Sequence, residues 1–265
     1  MSSVEAFLAG ERDAVVWELF HENSKTSRVE PHLYFGRHPS DDTVVHMMRS
    51  LREVKPYADR DKLALPAEES LSAASVDDAQ RRRRSARGFG GDPMRFDDLA
   101  ALLRRACGVT RDNTGTQYPR SFRASPSGGA LYPLELHVWA RAVEGVRPGV
   151  YHYDPHGDEL DVLGDAPGLP TVFVQRHLVE QAAVVLLFSA VFIRSVFKYG
   201  ERGYRFVLIE AGHVAQNVLL AGAARGLVGV PLGGYFDREL DRLLGFNGID
   251  ESVVYALAVG SEEGE

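Results

Sequence analysis

The apolar segment at residues 183–192 constrains the fold of this chain more than any other stretch. It contains one polar residue, Ser189, and no charged residue. A membrane-spanning helix needs roughly 18 apolar residues, so this shorter segment predicts a buried β-strand instead. The next apolar stretch, residues 204–225, predicts a long helix that ends at Gly226.

The other predicted elements alternate irregularly along the chain. Predicted helices cover residues 4–20, 76–84, 98–107, 171–181 and 238–244. A further predicted helix is capped by residues 40–42 and extends through residue 54. Predicted strands cover residues 134–139, 149–153, 159–163, 227–234 and 252–260, the second and third forming a hairpin. In the helix 98–107, positions 99, 102, 103 and 106 share one apolar face. This order favours an α+β fold over a doubly wound parallel sheet.

The first 75 residues differ in character from the rest of the chain. They contain two predicted helices separated by a polar loop, followed by a charged stretch with proline and serine at residues 58–74. We interpret residues 1–75 as a helical extension with a connector, and residues 76–265 as one domain. A chain of 265 residues is long enough to bury a substantial core.

Charge and cysteine content exclude several classes of protein. A formal net charge of −7 argues against a general binder of nucleic acid, because such binders neutralise phosphates with basic surface. One cysteine, Cys107, excludes an internal disulfide and any multi-cysteine metal site, and its simplest interpretation is a core residue. Since neither a signal peptide nor a membrane span is evident, we expect a cytoplasmic protein.

Two motifs look suited to hold a ligand. In the loop before strand 134–139, Ser127, Gly128 and Gly129 lack bulk, so their amides can converge on an anion or a heterocycle; a plain tight turn is the alternative. The basic run at residues 81–87 is either a solvated helix face or an anion site. In the second case Arg83 and Arg87 would present forked guanidiniums to a phosphate.

A polar stripe interrupts the long apolar helix. Glu210, His213 and Asn217 fall at i, i+3 and i+7. Two of them could suggest a metal ligand pair, but buried polar groups with satisfied hydrogen bonds, in the core or at a subunit interface, are the favoured interpretation. We therefore predict no metal site.

Together these motifs resemble those of a known family. Arg83-Arg-Ser-Ala-Arg-Gly-Phe89 resembles the signature that opens the nitroreductase-like flavoprotein fold, and Ser125-Pro-Ser-Gly-Gly-Ala-Leu-Tyr-Pro-Leu-Glu135 resembles the loop of its SagB-type dehydrogenases. Further matches are Lys198-Tyr199, Glu210-Ala-Gly-His213 followed by Gln216-Asn217, Val230-Pro-Leu-Gly-Gly234 and His21-Glu-Asn-Ser-Lys25. That branch includes FMN-dependent oxidases that convert thiazolines and oxazolines of ribosomal peptides into thiazoles and oxazoles.

The resemblance implies a particular architecture and cofactor site. The fold would be a central, mainly antiparallel sheet flanked by helices, with a long helix in the core of a homodimer and a helical N-terminal extension. The implied FMN-binding residues are Arg83, Arg84, Ser85 and Arg87 at the phosphate and ribityl end, Pro126, Ser127, Gly128 and Gly129 beside the isoalloxazine ring, and Leu232, Gly233 and Gly234 near its N5 edge. In this fold the loop beside the ring often comes from the second subunit.

One feature departs from the family pattern. Relatives of the wider fold often supply a basic side chain near the C-terminus to the phosphate, whereas this chain ends Gly260-Ser-Glu-Glu-Gly-Glu265. Arg120 and Arg123 are the candidates to replace that contact. Tyr132 either stacks near the flavin or the substrate or only packs at the strand start, and His213 is expected near the flavin.

The resemblance assigns a catalytic role to Lys198 and Tyr199. Aromatising an azoline removes a proton from the α-carbon and a hydride from the adjacent ring carbon, and a flavin accepts the hydride. A protein group must take the proton, and partial burial or a neighbouring cation can lower a lysine pKa enough for that task. The alternative is a solvated lysine beside a half-buried tyrosine.

The function implied by the resemblance is azoline oxidation on a peptide delivered together with a cyclodehydratase. Three alternatives stay open. One is a SagB-type oxidoreductase that acts on a small molecule or a carrier-bound intermediate, and another is an NAD(P)H-dependent nitro- or quinone reductase. The third is a flavin-free scaffold subunit of a peptide-modifying complex.

Overall fold

A computed structural model describes residues 16–25, 41–67 and 74–263. The helices in these ranges are α1 (Val16–Asn23), α2 (Asp41–Ser50), α3 (Val76–Arg82), α4 (Phe96–Cys107), α5 (Arg176–Gln181), α6 (Ile193–Tyr199), α7 (Arg202–Ala223) and α8 (Asp237–Leu244). The strands are β1 (Lys62–Ala64), β2 (Val109–Arg111), β3 (Phe122–Arg123), β4 (Leu134–Ala140), β5 (Gly149–Asp154), β6 (Glu159–Gly164), β7 (Val184–Val191), β8 (Val228–Leu232) and β9 (Glu251–Gly260). Residues 4–15 of the first predicted helix lie outside the described ranges.

Seven of the strands form one antiparallel sheet. Its order is β1-β6-β5-β4-β7-β9-β8, and β2 and β3 form a separate two-stranded hairpin. Each neighbouring pair in the large sheet is antiparallel. The predicted α+β fold, with a mainly antiparallel sheet flanked by helices, is confirmed.

Strand β7 lies near the middle of this sheet and separates two hydrophobic cores. Successive side chains of a strand point to opposite faces. Val184, Leu186, Phe188 and Ala190 accordingly pack into the core that contains α4 and α7. Val185 and Leu187 pack into the core on the other face, which includes residues of α5 and α8. The apolar segment at 183–192 is thus buried on both faces, as its composition predicts.

Helix α4 follows its predicted periodicity. Leu99, Leu102, Leu103 and Ala106 are fully buried and face the sheet. The helix begins at Phe96, two residues before the predicted start, and its N-cap residue Arg95 makes no side-chain capping bond.

Helix α7 is long and apolar enough to cross a membrane by length and composition, but half of that stretch is buried within the fold. A core helix of a globular domain has the same properties. Helix α1 packs against the first turn of α7. There Arg205 donates hydrogen bonds to the His21 carbonyl oxygen (2.6 Å) and to Ser24 Oγ (2.8 Å). The segment His21–Lys25 therefore ties the N-terminal part of the chain to α7.

Three predicted boundaries are wrong. Helix α2 ends at Ser50 rather than at residue 54, and the predicted connector contains β1, whose three residues pair with β6 at the sheet edge. The predicted helix 171–181 is instead a 3-10 turn, Leu169–Val172, followed by α5. It breaks because the Val174 amide donates to the Gly234 carbonyl oxygen (2.9 Å), which holds this stretch extended.

The segment after α2 has no regular secondary structure and packs against distant parts of the fold; we call residues 51–57 the strap. Arg120 Nη2 donates to the Leu51 carbonyl oxygen (2.7 Å), and Arg123 Nη2 donates to that of Glu53 (3.0 Å). Both arginines are more than nine-tenths buried. They hold the strap, and the structure does not support the expectation that they replace a phosphate contact.

Candidate functional site

The glycine loop, residues 125–129, lies against the Lys198–Tyr199 pair. Gly129 has φ +67°, a conformation that side chains rarely adopt. A Cβ atom added to Gly129 would lie 2.6 Å from Tyr199 Oη and 2.9 Å from Lys198 Nζ. At Gly128 an added Cβ would lie 3.4 Å from the Phe206 ring and 3.7 Å from the Tyr199 ring. Only glycine lets the backbone approach this pair so closely.

Helix α6 positions the pair. Lys198 and Tyr199 are its last two residues, both half-buried, and Lys198 Nζ lies 5.3 Å from the centre of the Tyr199 ring. The Tyr199 ring meets Phe206 of α7 edge-on, with 4.9 Å between ring centres. Tyr199 also packs against the small cluster of Val44, Met48 and Leu131, so α2 supports the pair from the N-terminal side.

Gly129→Ala tests this close approach. An L-residue in the left-handed region costs about 1–2 kcal/mol, and the added methyl must also displace the Tyr199 hydroxyl or the Lys198 amine. We expect the free energy of unfolding, measured by urea denaturation, to fall by at least that amount. Gly115→Ala is the matched control, because Gly115 is exposed and an added Cβ there meets no atom within 4 Å. An unchanged stability of Gly129→Ala would contradict the described loop conformation.

Behind the loop lies a buried carboxyl group on α7. Glu210 is 5% exposed, and burial raises its pKa to about 7, although a hydrogen bond with Ser127 and the charge of Arg123 offset part of that effect. Ser127 Oγ also accepts a hydrogen bond from the Tyr132 amide (2.9 Å). Ser127 thus anchors the loop to both α7 and the start of β4.

The three residues of the predicted polar stripe on α7 lie in different environments. Glu210 is buried, Asn217 is half-buried and His213 is exposed. Within the residues that the structure describes, no group of three His, Cys, Asp or Glu side chains could hold a metal ion.

Tyr132 packs at the start of β4. It is 4% exposed, its hydroxyl accepts from the Arg123 amide (2.9 Å), and the Arg123 guanidinium covers its ring at 4.7 Å.

Cys107 is half-buried at the end of α4, and burial raises the pKa of its thiol to about 12. That thiol stays protonated at neutral pH, which suits a packing role.

The arginine segment, residues 83–87, follows α3 and borders the start of β8. The Ala86 amide donates to the Gly229 carbonyl oxygen (3.1 Å), and Ser85 forms a parallel bridge with Gly229. Arg83 is half-buried, whereas Ser85 and Arg87 are exposed. These contacts fix the backbone and leave the hydroxyl and both guanidiniums at the sheet edge.

The acidic C-terminal residues lie beside this segment. Glu262 forms an ion pair with Arg84, and both side chains are about half exposed or more, so the pair contributes little stability. The Glu263 carboxylate lies against Gly88, where a Cβ would collide with it. Among the predicted phosphate-binding residues, Arg84 thus has an ion-pair partner in the described part of the chain.

The other end of β8 carries the second glycine pair. Leu232 is fully buried, and a Cβ added to Gly233 meets no atom within 4 Å, which leaves open space beside its backbone. Next to Gly234 lies Gln175, whose Oε1 is buried without a hydrogen-bond partner among the described residues. Gly229 and Gly233 are about 13 Å apart at the usual rise of a strand. The strand thus has guanidinium groups near one end and open backbone at the other.

The predicted residues fall into two groups within one chain. The glycine loop meets Lys198 and Tyr199, and the arginine segment shares β8 with Gly233 and Gly234. The first group lies at the start of β4, the second at β8, and strands β7 and β9 separate them. At the usual strand spacing that separation is about 14 Å.

A buried ionic network also surrounds Glu135, a residue that no sequence motif marks as functional. Glu135 Oε1 pairs with Arg194 Nη2 (2.7 Å) and accepts from the Lys55 amide (2.7 Å), and Glu135 Oε2 lies 2.8 Å from His152 Nε2. Burial alone would raise the pKa of Glu135, but Arg194 and His152 outweigh it and hold the pKa well below its ordinary value. Arg194 lies one turn before Lys198, so this network fixes α6 to the strand that follows the glycine loop.

The second partner of His152 completes the network. His152 Nδ1 lies 2.9 Å from Asp161 Oδ2. Burial lowers the pKa of His152, but the hydrogen bonds to Asp161 and Glu135 outweigh it and raise the pKa. The only sequence signal for this network is the presence of Glu135 and His137 in an otherwise apolar strand.

Comparison with known proteins gives consistent matches. The model of the nitroreductase family matches residues 81–261. A protein of Methanocaldococcus jannaschii named as a nitroreductase is 35% identical over 177 residues, which cover 66% of this chain and 86% of that protein. The microcin B17-processing protein McbC of Escherichia coli is 30% identical over 148 residues, 52% of each chain. Among solved structures, the E. coli microcin synthetase McbBCD complex with truncated pro-MccB17 bound contains a chain with a TM-score of 0.60 and 22% identity, covering 98% of this chain and 92% of that one.

Proposed function

The chain belongs to the nitroreductase family and resembles its SagB-type dehydrogenases, and on that premise we propose that it is an FMN-dependent azoline oxidase. Its substrate is a peptide that carries thiazoline or oxazoline rings, and its product carries the corresponding thiazoles or oxazoles. The similarity to McbC, a protein named for processing a microcin, supports a peptide substrate.

The observation that carries this proposal is the contact between the glycine loop and the pair Lys198–Tyr199. A loop that exposes bare backbone is suited to lie against a flat ring. Here that backbone is within contact distance of an amine and a phenol. A ring bound beside the loop therefore has both a planar support and a proton acceptor at hand.

Members of this family typically bind a flavin, and the residues around β8 fit FMN. In this proposal Arg83, Ser85 and Arg87 hold the phosphate, and the backbone at Gly233 and Gly234 lies near the reactive edge of the ring. When bound, FMN supplies the acceptor for the hydride that leaves the azoline ring.

We further propose that the functional unit is a homodimer. Helix α7 exposes Tyr204, Leu208 and Ile209 at 38%, 42% and 55%, an apolar surface on the helix that also carries Glu210. A second copy that covers this face can bring its glycine loop to the arginine segment of the first. Each flavin would then be shared between two chains.

The chain's own residues handle the proton. Lys198 accepts the proton from the α-carbon of the azoline, and the C–H electron pair becomes part of the new ring double bond. The hydride leaves from the adjacent ring carbon, so two hydrogen atoms are lost per ring. Tyr199, whose hydroxyl shares the approach to Gly129, assists the transfer.

Partners and location follow from the same proposal. Since McbBCD is a complex, we expect this chain to work with a cyclodehydratase that forms the azoline rings. We place the protein in the cytoplasm, and we assign catalysis to residues 76–265, with residues 1–75 as a supporting extension.

The test of the function is to supply a purified azoline peptide and follow its mass. We expect a yellow protein whose peptide product has lost two hydrogen atoms per ring. Rapid flavin reduction by NADPH with no change in the peptide would instead indicate a nitro- or quinone reductase. A colourless protein that takes up no FMN would indicate a scaffold subunit.

Replacing Arg83 and Arg87 together with alanine tests the cofactor site. Hydrogen bonds to charged groups contribute about 1.5–3 kcal/mol each, so losing two should weaken FMN binding by at least about a hundredfold. The measurement is the flavin absorbance retained after dilution and filtration. Arg81→Ala with Arg82→Ala is the matched control, because both residues are exposed in the last turn of α3. Equal flavin retention in the two double variants would contradict the phosphate site.

A further inference from the structure

A cleft of about 760 Å³ opens between the β2–β3 hairpin and the glycine loop. One wall consists of the hairpin, and the opposite wall includes Pro126, Ser127 and Gly129. Lys198 and Tyr132 also line it. The cleft therefore leads directly to the proposed proton acceptor, and its size allows more than a five-membered ring to enter.

The charge of the cleft is opposite to that of the whole chain. Its lining includes Arg111 and Arg123, and no aspartate or glutamate among the described residues. The chain as a whole has a net charge of −7. An acidic protein with a purely cationic cleft selects ligands that carry negative charge or strong hydrogen-bond acceptors.

One of the two arginines has donors available to such a ligand. Arg111 stacks on the ring of Phe122, with 4.5 Å between the guanidinium carbon and the ring centre. This contact orients the guanidinium while Arg111 itself remains exposed. Arg123 is 93% buried and bonded to the strap through Nη2, so it contributes positive charge to the cleft.

The hairpin also offers backbone groups. Strand β2 pairs with β3 in a sheet of only these two strands, and all three of its residues are exposed. In the described part of the chain its other edge is unpaired, and an extended peptide can pair with such an edge. The edge spans three residues, enough for a short segment next to a ring.

We propose that this cleft binds the peptide segment adjacent to the azoline ring, in extended form, and that it prefers acidic over basic residues in that segment. The inference rests on the proposed function and adds to it a determinant of substrate choice. The hairpin would hold the flanking residues while the ring lies against the glycine loop beside Lys198.

The test compares two azoline peptides that differ only in their flanks, one with two aspartates and one with two lysines beside the ring. We expect kcat/KM for the acidic peptide to be at least about tenfold higher, the effect of roughly one charge-assisted contact. Raising the salt concentration should reduce this preference, because exposed charges are screened. Binding of the corresponding azole products, followed by fluorescence anisotropy, gives a readout that does not depend on turnover.

Arg111→Ala and Arg111→Glu connect the preference to the cleft. The alanine variant should raise KM for the acidic peptide about tenfold with little change in kcat and no loss of bound FMN. The glutamate variant should favour the lysine peptide. Gln117→Ala, an exposed hairpin residue outside the cleft lining, is the control.

The outcomes separate this inference from the function on which it rests. Failure to oxidise either peptide refutes the proposed function and the inference with it. Oxidation of both peptides with equal kcat/KM refutes the inference alone. Loss of FMN from Arg111→Ala also refutes it, because the cleft would then belong to the flavin.

Discussion

Lys198→Ala is expected to abolish ring oxidation while the protein keeps its flavin. The lysine amine is the proposed acceptor of the α-proton, and removing a positioned general base typically lowers the rate by about 10²–10⁴-fold. Mass spectrometry of the azoline peptide should show no loss of hydrogen during the time in which the unmodified protein converts it completely. The visible flavin spectrum should be unchanged, since Lys198 is not assigned to the phosphate or to the β8 end of the FMN site.

Lys198→Arg separates the loss of a base from the loss of a positive charge. A guanidinium has a pKa above 12 and keeps its proton at neutral pH, so it cannot accept one from the substrate. We expect this variant to be as inactive as Lys198→Ala. Near-normal turnover by Lys198→Arg would show that the residue supplies only charge, and the catalytic assignment would be wrong.

Glu135→Gln is expected to cause the largest loss of stability from a single isosteric change. It removes the negative charge that compensates Arg194 and His152, both at most 4% exposed. Breaking a buried ion pair by neutralising one partner typically costs about 3–5 kcal/mol, because the other charge remains buried. The free energy of unfolding in urea should fall by about that amount.

The same substitution at an exposed pair provides the control. Glu180 pairs with Arg176 one turn away on α5, and both side chains are about half exposed. Glu180→Gln should change the free energy of unfolding by less than about 1 kcal/mol. A similar small effect at Glu135 would mean that the network around His152 is not charged in the way described.

Much of the fold follows from local patterns in the sequence. The apolar run that becomes β7, the helical periodicity of α4 and the hairpin β5–β6 are each confirmed, because burial on one or two faces dictates their composition. The predicted boundaries are wrong where contacts between residues distant in sequence determine the secondary structure. Strand β1 has only three residues and a lysine at its start, so nothing local distinguishes it from a connector.

The candidate site was predictable only in part, and for a similar reason. A glycine loop and a lysine–tyrosine pair 70 residues further on carry no sequence signal that they touch, and the structure shows that they do. Arg120 and Arg123 looked available for an anion, yet they hold the strap through backbone carbonyl groups. Glu135 was hidden inside an apolar strand, because its partners come from the strap, β5 and α6.

The position of β9 in the sheet has a consequence for biosynthesis. This strand is the one furthest along the chain, yet it lies between β7 and β8, and Lys55 of the strap reaches across 196 residues to Glu251 at its start. Until β9 (Glu251–Gly260) has been synthesised, one edge of the apolar strand β7 has no neighbour and Lys55 lacks its partner Glu251. Strand pairing between residues distant in sequence is slow and leaves aggregation-prone strand edges exposed. We therefore expect the nascent chain to expose this edge of β7 until β9 can pair with it.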